Sequence, residues 1–340
     1  MAGVQLGVQA AVNAPSDRCE CFAIDIESLH SAYTMLLPLP FLLRAYFLLT
    51  SCSVLLAYVT PSLRASFIPY GKTLTSSAKN KSGTGSQARE QKKDSLLDWA
   101  ASWTVPKKFF KHFYVLSTFV SIGWAWVIIE RRWRDAPISP WLSTWRTQSS
   151  LEVALTWAMM LIQGVRRLCE CFFVERPTQA RMWIGHYVVG LGFYSAMSLA
   201  VWIEGASNVL DPNSSFQISQ LVTPKTMLAV ALFIGASVRQ CTLHAHLASL
   251  RPPTSAASKP EYKLPTHPAF LRTVAPHYTA EIGIYAAMVL ANSGSNLTLW
   301  CALVWVAVNL SVSATSSREW MIERFGERGR IRWVIMAGVY

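Results

Sequence analysis

The sequence predicts an all-α, polytopic integral membrane protein with about seven transmembrane helices in one bundle. Three observations carry this expectation. Hydrophobic residues fill 52% of 340 positions and charged residues only 15%, and the mean hydropathy is +0.27, whereas soluble domains carry about 25% charge. Apolar runs recur at the length a bilayer demands, roughly 20 residues each. No alternating apolar and polar pattern suggests a sheet, and no internal repeat is present.

Seven segments can span: 35–59, 109–129, 151–174, 182–203, 227–248, 278–291 and 297–315. The sixth is brief, and a break at 292–296 separates it from the seventh, so a re-entrant hairpin is the alternative for that pair.

Residues 1–34 carry Asp17, Glu20, Asp25 and Glu27 and lack the basic start and small-residue cleavage site of a secretory signal, so no removed leader is expected. They form a predicted luminal segment ahead of a membrane domain over 35–340. Within the first long loop, 76–94 is rich in Ser, Gly, Lys and Gln and reads as a disordered cytosolic insert. Just before it, Tyr70-Gly-Lys-Thr resembles a nucleotide-binding loop only superficially, because the first glycine and the preceding strand of that motif are missing. Two C-x-C pairs, Cys19/Cys21 and Cys169/Cys171, do not match a zinc spacing, and no metal is expected.

Charge supplies orientation. With the N-terminus outside the cytosol, loops 60–108, 175–181 and 250–277 and the tail become cytosolic and hold most of the Lys and Arg, as the positive-inside rule requires. Arg131, Arg132, Arg134 and Arg146 fall on the other side and oppose this arrangement. Sequons at Asn213 and Asn296 lie on the luminal side, although Asn80 begins a third on the cytosolic side. The net charge of +12 then reflects topology and anionic headgroups of membrane lipids. No basic helix with interleaved aromatics points to nucleic acid, and no obligate protein partner is inferred.

Ionisable groups inside spans are costly and mark function by default. His112 and Tyr114 open the second span, Gln163, Arg166, Arg167 and Glu170 lie in the third, and Gln240 and His244 in the fifth. Helical spacing puts Gln163, Arg167 and Glu170 on one face, and Gln240 with His244 on another. Interhelical hydrogen bonding, with Arg167 and Glu170 as a structural pair, fits the same residues. Arg44 reads as a residue snorkelling to the interface. Beyond the fifth span come Arg251, then Glu261-Tyr262-Lys263, then Pro276-His277 opening a helix that carries Glu281. Cations, an aromatic ring and a buried carboxylate suit a phosphate-bearing ligand from the cytosol, while topology alone would also place the cations there.

At these residues the sequence resembles the steroid 5α-reductase family, and more closely its polyprenol (polyprenal) reductase branch. The matching pieces, in order from about residue 67, are Tyr70-Gly-Lys-Thr, Val105-Pro-Lys with His112-Phe-Tyr114, Arg166-Arg-Leu-x-Glu170, Gln240-x-x-x-His244 through Leu250-Arg251, Tyr262-Lys-x-Pro265, Pro276-His-Tyr-x-x-Glu281 and Asn309-x-x-x-Ser-Ala-x-x-Ser317. The resemblance implies a seven-helix reductase of the endoplasmic reticulum membrane that uses NADPH from the cytosolic side. It implies a long-chain isoprenoid substrate and a step of dolichol synthesis supplying protein N-glycosylation.

Carried over by position, the resemblance implies cofactor contacts at Gln240, His244, Arg251, Tyr262, Lys263, His277 and Glu281, with Arg167 and Glu170 supporting the site. Lys263 stands where the family usually has Arg, which keeps charge but loses the bidentate fork. Met321 replaces a common family tyrosine. The steroid enzymes' substrate-binding Gln-Glu pair and Tyr correspond here to the His112–Tyr114 stretch and Gly164, so steroid contacts are in doubt. Reducing a carbon–carbon double bond by hydride needs an electron sink, and a conjugated aldehyde supplies one. The direct substrate expected is therefore polyprenal rather than polyprenol, with His112 or Tyr114 as donor to the oxyanion. A steroid 3-oxo-Δ4 reductase, an enoyl-thioester reductase and a non-catalytic scaffold or receptor are the alternatives.

Overall fold

Apolar runs of this length have one stable state in lipid, the helix that satisfies its own backbone, and helices dominate the computed structural model. It describes residues 38–68, 96–134, 146–176, 178–211, 213–214, 222–251, 262–327 and 333–335. The chain divides into units 1–37 and 38–340. The first unit, the insert at 76–94, Tyr70-Gly-Lys-Thr and Glu261 lie outside the described residues.

Among the described residues the helices are α1 (Leu39–Val59), α2 (Pro61–Phe67), α3 (Leu96–Ser102), α4 (Phe110–Trp133), α5 (Ser150–Phe173), α6 (Ile184–Ile203), α7 (Ala206–Leu210), α8 (Pro224–Ser249), α9 (Ala269–Arg272), α10 (Pro276–Ala291) and α11 (Leu297–Phe325). Five are long and apolar enough to cross a bilayer: α1, α4 with the turn before it, α6, α8 and α11. The chain is a multi-pass helical membrane protein. Two expected spans fall outside that count for different reasons. Helix α5 carries Glu152, Arg166, Arg167 and Glu170, and α10 has only 16 residues, about 24 Å at the rise of an α-helix. One sheet element departs from the all-helical expectation. Strand β1 (Thr104–Pro106) pairs antiparallel with β2 (Arg181–Trp183), joining the segments that lead into α4 and α6.

Local chemistry sets the helix starts. Ser149 and Glu152 form a capping box on α5. Thr223 accepts from Thr226 N at the start of α8, with Pro224 in the first turn. Asn296 accepts from Leu299 N to open α11. Between α10 and α11 the chain reverses through Ser293 and Gly294 at φ 58° and 71°.

Helix pairing closes a ring: α1 packs on α6, α6 on α4, α4 on α5, α5 on α10, α10 on α11, and α11 back on α1, with α8 laid along α10 and α5. Small residues permit the close crossings. A Cβ on Gly164 would stand 3.1 and 3.2 Å from the hydroxyls of Ser117 and Thr118. Residues 333–335 return to the start of α10, where Val274 N donates to Trp333 O and Thr279 Oγ1 to Ile335 O.

One expectation changes at the far end of the ring. Arg44 does not snorkel; its guanidinium donates to Glu204 Oε1 at 2.8 Å and Thr298 Oγ1 at 3.2 Å. Helix α11 begins there, and its first N–H groups from Leu297 and Thr298 also point at Glu204, a favoured seat for an anion. Asn296 is fully buried and donates to Gln148 Oε1 and Ala200 O, so its sequon is closed to modification in the folded protein, whereas Asn213 is exposed. The arginines that opposed the orientation have local employment. Arg132 donates to the carbonyls of Val209 and Asp211, and Arg146 pairs with Asp211 at 3.3 Å.

Candidate functional site

A cavity of about 370 Å³ lies inside the ring, within the usual range for small-molecule sites. Its lining has two characters. Part is apolar and aromatic, including Val54, Ile68, Phe110, Met182 and Phe193. Part is polar, including Tyr114, Arg167, Gln240, His244, Glu281 and Asn309, drawn from α4, α5, α8, α10 and α11.

Tyr114, Arg167, Gln240, His244 and Glu281 belong to one connected network. Arg167 donates to Tyr114 Oη through Nε (3.2 Å) and Nη2 (2.9 Å). Its Nη1 meets Glu170, and His244 Nδ1 sits 2.7 Å from Glu170 Oε2 and 2.8 Å from Arg167 Nη1. Arg166 binds the other Glu170 oxygen and also donates to the side-chain oxygens of Gln163 (2.6 Å) and Gln240. With both carboxamide oxygens taken, both amide nitrogens turn to Glu281, from Gln163 at 3.3 Å and from Gln240. Glu281 thus accepts only neutral N–H groups, and no cation forms an ion pair with it among the described residues. Gln163, Arg167, Glu170 and Gln240 are buried, and such a network requires its members to be satisfied.

The helix periodicity that grouped Gln163, Arg167 and Glu170, and separately Gln240 with His244, is the arrangement found. The structure brings together Tyr114, Arg167, Glu170, Gln240, His244 and Glu281. His277 stands beside them, its ring 5.5 Å from that of His244. His112 takes a different direction. Two residues before Tyr114 it points to another helix face, where Nδ1 meets Tyr187 Oη at 3.0 Å, and it does not line the cavity. Three expected cofactor residues are exposed and lie outside the cavity wall. Arg251 donates to Arg176 O at 3.3 Å, Tyr262 packs edge-to-face on Trp320 with centroids 5.0 Å apart, and Lys263 follows on the same segment.

Residues absent from the expected site also line the cavity: Tyr194, Tyr285, Trp305 and His186. Tyr285 follows Glu281 by one helical turn, a spacing that could have flagged it. Nothing local marks Tyr194, whose ring meets Tyr114 at 5.3 Å only through the α4–α6 packing. Gly164, expected near the place of the steroid enzymes' tyrosine, faces Ser117 and Thr118 instead of the cavity, and a Cβ there would crowd both hydroxyls. Among the described residues no cluster of His, Cys, Asp and Glu could hold a metal.

Residues 194–340 match the family model described as 3-oxo-5-alpha-steroid 4-dehydrogenase. The chain is 29% identical to polyprenal reductase 1 of Arabidopsis thaliana over 269 residues, covering 70% of this chain and 82% of that one. It is 28% identical to the polyprenal reductase of Saccharomyces cerevisiae, covering 83% and 88%, and 26% identical to that of Xenopus laevis, covering 76% and 79%. The quoted motifs from Gln240 onward lie within residues 194–340, and these matches bear out the family resemblance.

Proposed function

From a membrane oxidoreductase that resembles the steroid 5α-reductase family and its polyprenal reductases, we propose an NADPH-dependent reductase of the α-isoprene double bond of polyprenal. The supporting observation is the mixed lining of the cavity, with apolar and aromatic side chains suited to an isoprenoid and polar ones suited to an aldehyde and a cofactor head. An isoprenoid substrate gives such an enzyme reason to reside in lipid, since the tail stays dissolved while the reactive head reaches the polar wall.

The donor set suits a nicotinamide. Glu281, already accepting two amide N–H groups, is matched to a carboxamide N–H, with Gln240, His244 and His277 beside it. When bound, NADPH supplies the hydride. Arg251, Tyr262 and Lys263 would then meet the phosphates and the adenine end outside the cavity, Lys263 acting as a point charge. Tyr114 is the proposed donor to the aldehyde oxygen, because it lines the cavity and His112 does not. The electron sink favours polyprenal over polyprenol, whose allylic alcohol offers none.

The same reading places seven crossings, with α5 and α10 as the two interior ones, in the endoplasmic reticulum membrane. The Glu281 end faces the cytosol, and the product feeds dolichol synthesis. Purified protein with NADPH, offered polyprenal, polyprenol and a Δ4-steroid in parallel, tests this. Polyprenal alone should turn over; turnover of polyprenol alone, free of dehydrogenase, would defeat the electron-sink argument, and unchanged melting with NADPH would favour a non-catalytic protein.

A further inference from the structure

Tyr114 Oη accepts two hydrogen bonds from a single guanidinium, Nε at 3.2 Å and Nη2 at 2.9 Å, and the guanidinium carbon lies 4.8 Å from the ring centroid. A phenol oxygen accepts hydrogen bonds and carries one hydrogen to donate. Both N–H groups of Arg167 reach it from the same side, so the hydrogen is turned away from the guanidinium. Among the described residues Tyr114 Oη donates to none, and Tyr114 lines the cavity while its residue is only 4% exposed. An ordinary tyrosine hydroxyl rotates to suit its neighbours; this one is held as an acceptor toward Arg167, with its hydrogen directed elsewhere.

We propose that Arg167 is a positioning residue that fixes Tyr114 as a proton donor aimed into the cavity, and that it steadies the charge left on Tyr114 when the proton moves. The proposal rests on the reading of the site as an enal reductase. As the β carbon of the enal accepts hydride, the carbon–carbon π electrons shift and the aldehyde oxygen gains charge. That oxygen takes the Tyr114 proton, giving an enol and a phenolate. The two N–H groups of Arg167 already point at the phenolate oxygen and strengthen as it becomes anionic. Solvent returns a proton to Tyr114, and the enol tautomerises to the saturated aldehyde by taking a proton at its α carbon. Glu170 holds Arg167 through Nη1, and Arg166 and His244 hold Glu170, so the orientation of one hydroxyl is set by three helices.

A double-mutant cycle separates this role from a merely structural one. Tyr114→Phe, Arg167→Gln, Arg167→Lys and the Tyr114→Phe/Arg167→Gln pair are compared by kcat with polyprenal at saturating NADPH, each after a check that its melting transition is retained. Tyr114→Phe should lower kcat about 10²–10³-fold and Arg167→Gln about tenfold. The pair should be no slower than Tyr114→Phe alone, and Arg167→Lys should recover part of the loss. The second readout is the infrared carbonyl stretch of a bound saturated ¹³C-aldehyde, without turnover. Its downshift in the unaltered protein should vanish in Tyr114→Phe and weaken in Arg167→Gln. Additive losses of kcat, or an undiminished downshift in Arg167→Gln, would overturn the positioning role. Failure of the unaltered protein to reduce any enal is a separate result, which overturns the enzymatic reading beneath it.

Discussion

The bundle holds two buried polar networks at opposite ends of the same helices, one closed and one open. On α5, Thr156 belongs to the first and Arg167 to the second, about 16 Å apart at the α-helical rise. In the closed network Glu204 receives Arg44, the backbone N–H groups of Leu297 and Thr298, and the hydroxyls of Thr298 and Thr147. Beside it, Gln148 joins Asn292 and Asn296, and Asn292 donates to Thr156 Oγ1 and Met288 O. In the open network, among the described residues, the Tyr114 hydroxyl donates to no acceptor and Glu281 forms no direct ion pair, and both line a cavity. At the first end the side chains of Arg44, Gln148, Glu204, Asn292 and Asn296 find their partners within the protein, which lets a bilayer tolerate them. At the second end the incomplete answers are where a ligand has something to add.

The contrast predicts which end fails by unfolding and which by function. Glu204→Ala should have the largest effect on stability, about 3–5 kcal/mol, because it strands Arg44 away from water; a melting curve in detergent should show the loss, and a joint Arg44→Met/Glu204→Leu change should cost less than Glu204→Ala alone. At the open end, Glu281→Gln should leave melting nearly unchanged and raise the KM for NADPH about tenfold, the worth of a charge-assisted hydrogen bond; a large fall in melting temperature instead would make Glu281 part of the frame. Arg251→Ala or Lys263→Ala should raise the KM for NADPH several-fold, about 1 kcal/mol for an exposed phosphate contact, and the KM for the lipid less. His112→Ala should cost below about 1 kcal/mol, the value of its bond to Tyr187, with kcat retained; a hundredfold fall in kcat would move the donor role to His112. Smallest of all, removing N-glycans should leave no mobility change traceable to Asn296, checked on an Asn213→Gln variant.

Much of the frame was legible. The apolar runs gave helices at the expected places, and the composition alone implied a membrane protein. Where edges moved, the cause lay outside lipid: α11 runs to Phe325 rather than 315, because a helix leaving the bilayer loses its apolar signal at Arg318 and Glu319 yet keeps its hydrogen bonds, and Glu319 there pairs with Arg64 of α2. Of the site, the helical spacing exposed Gln163, Arg167 and Glu170 as one face and Gln240 with His244 as another, and the cost of a carboxylate within the membrane length singled out Glu281. The choice between His112 and Tyr114 was not legible, since two residues apart on a helix only one can face inward and nothing in the local sequence says which.

By itself, then, the sequence determined the solvent, the helices and the residue types that are too costly to place in lipid without a purpose. Their partners were decided only by tertiary structure. Arg44 and Glu204 are 160 positions apart, Tyr114 and Arg167 are 53 apart, and Gln240 and Glu281 are 41 apart. Helical periodicity fixes which side chains share a face of one helix, but the identity of the facing helix depends on how the ring closes. That closure turned one set of polar residues into a sealed support and the other into the polar lining of a cavity.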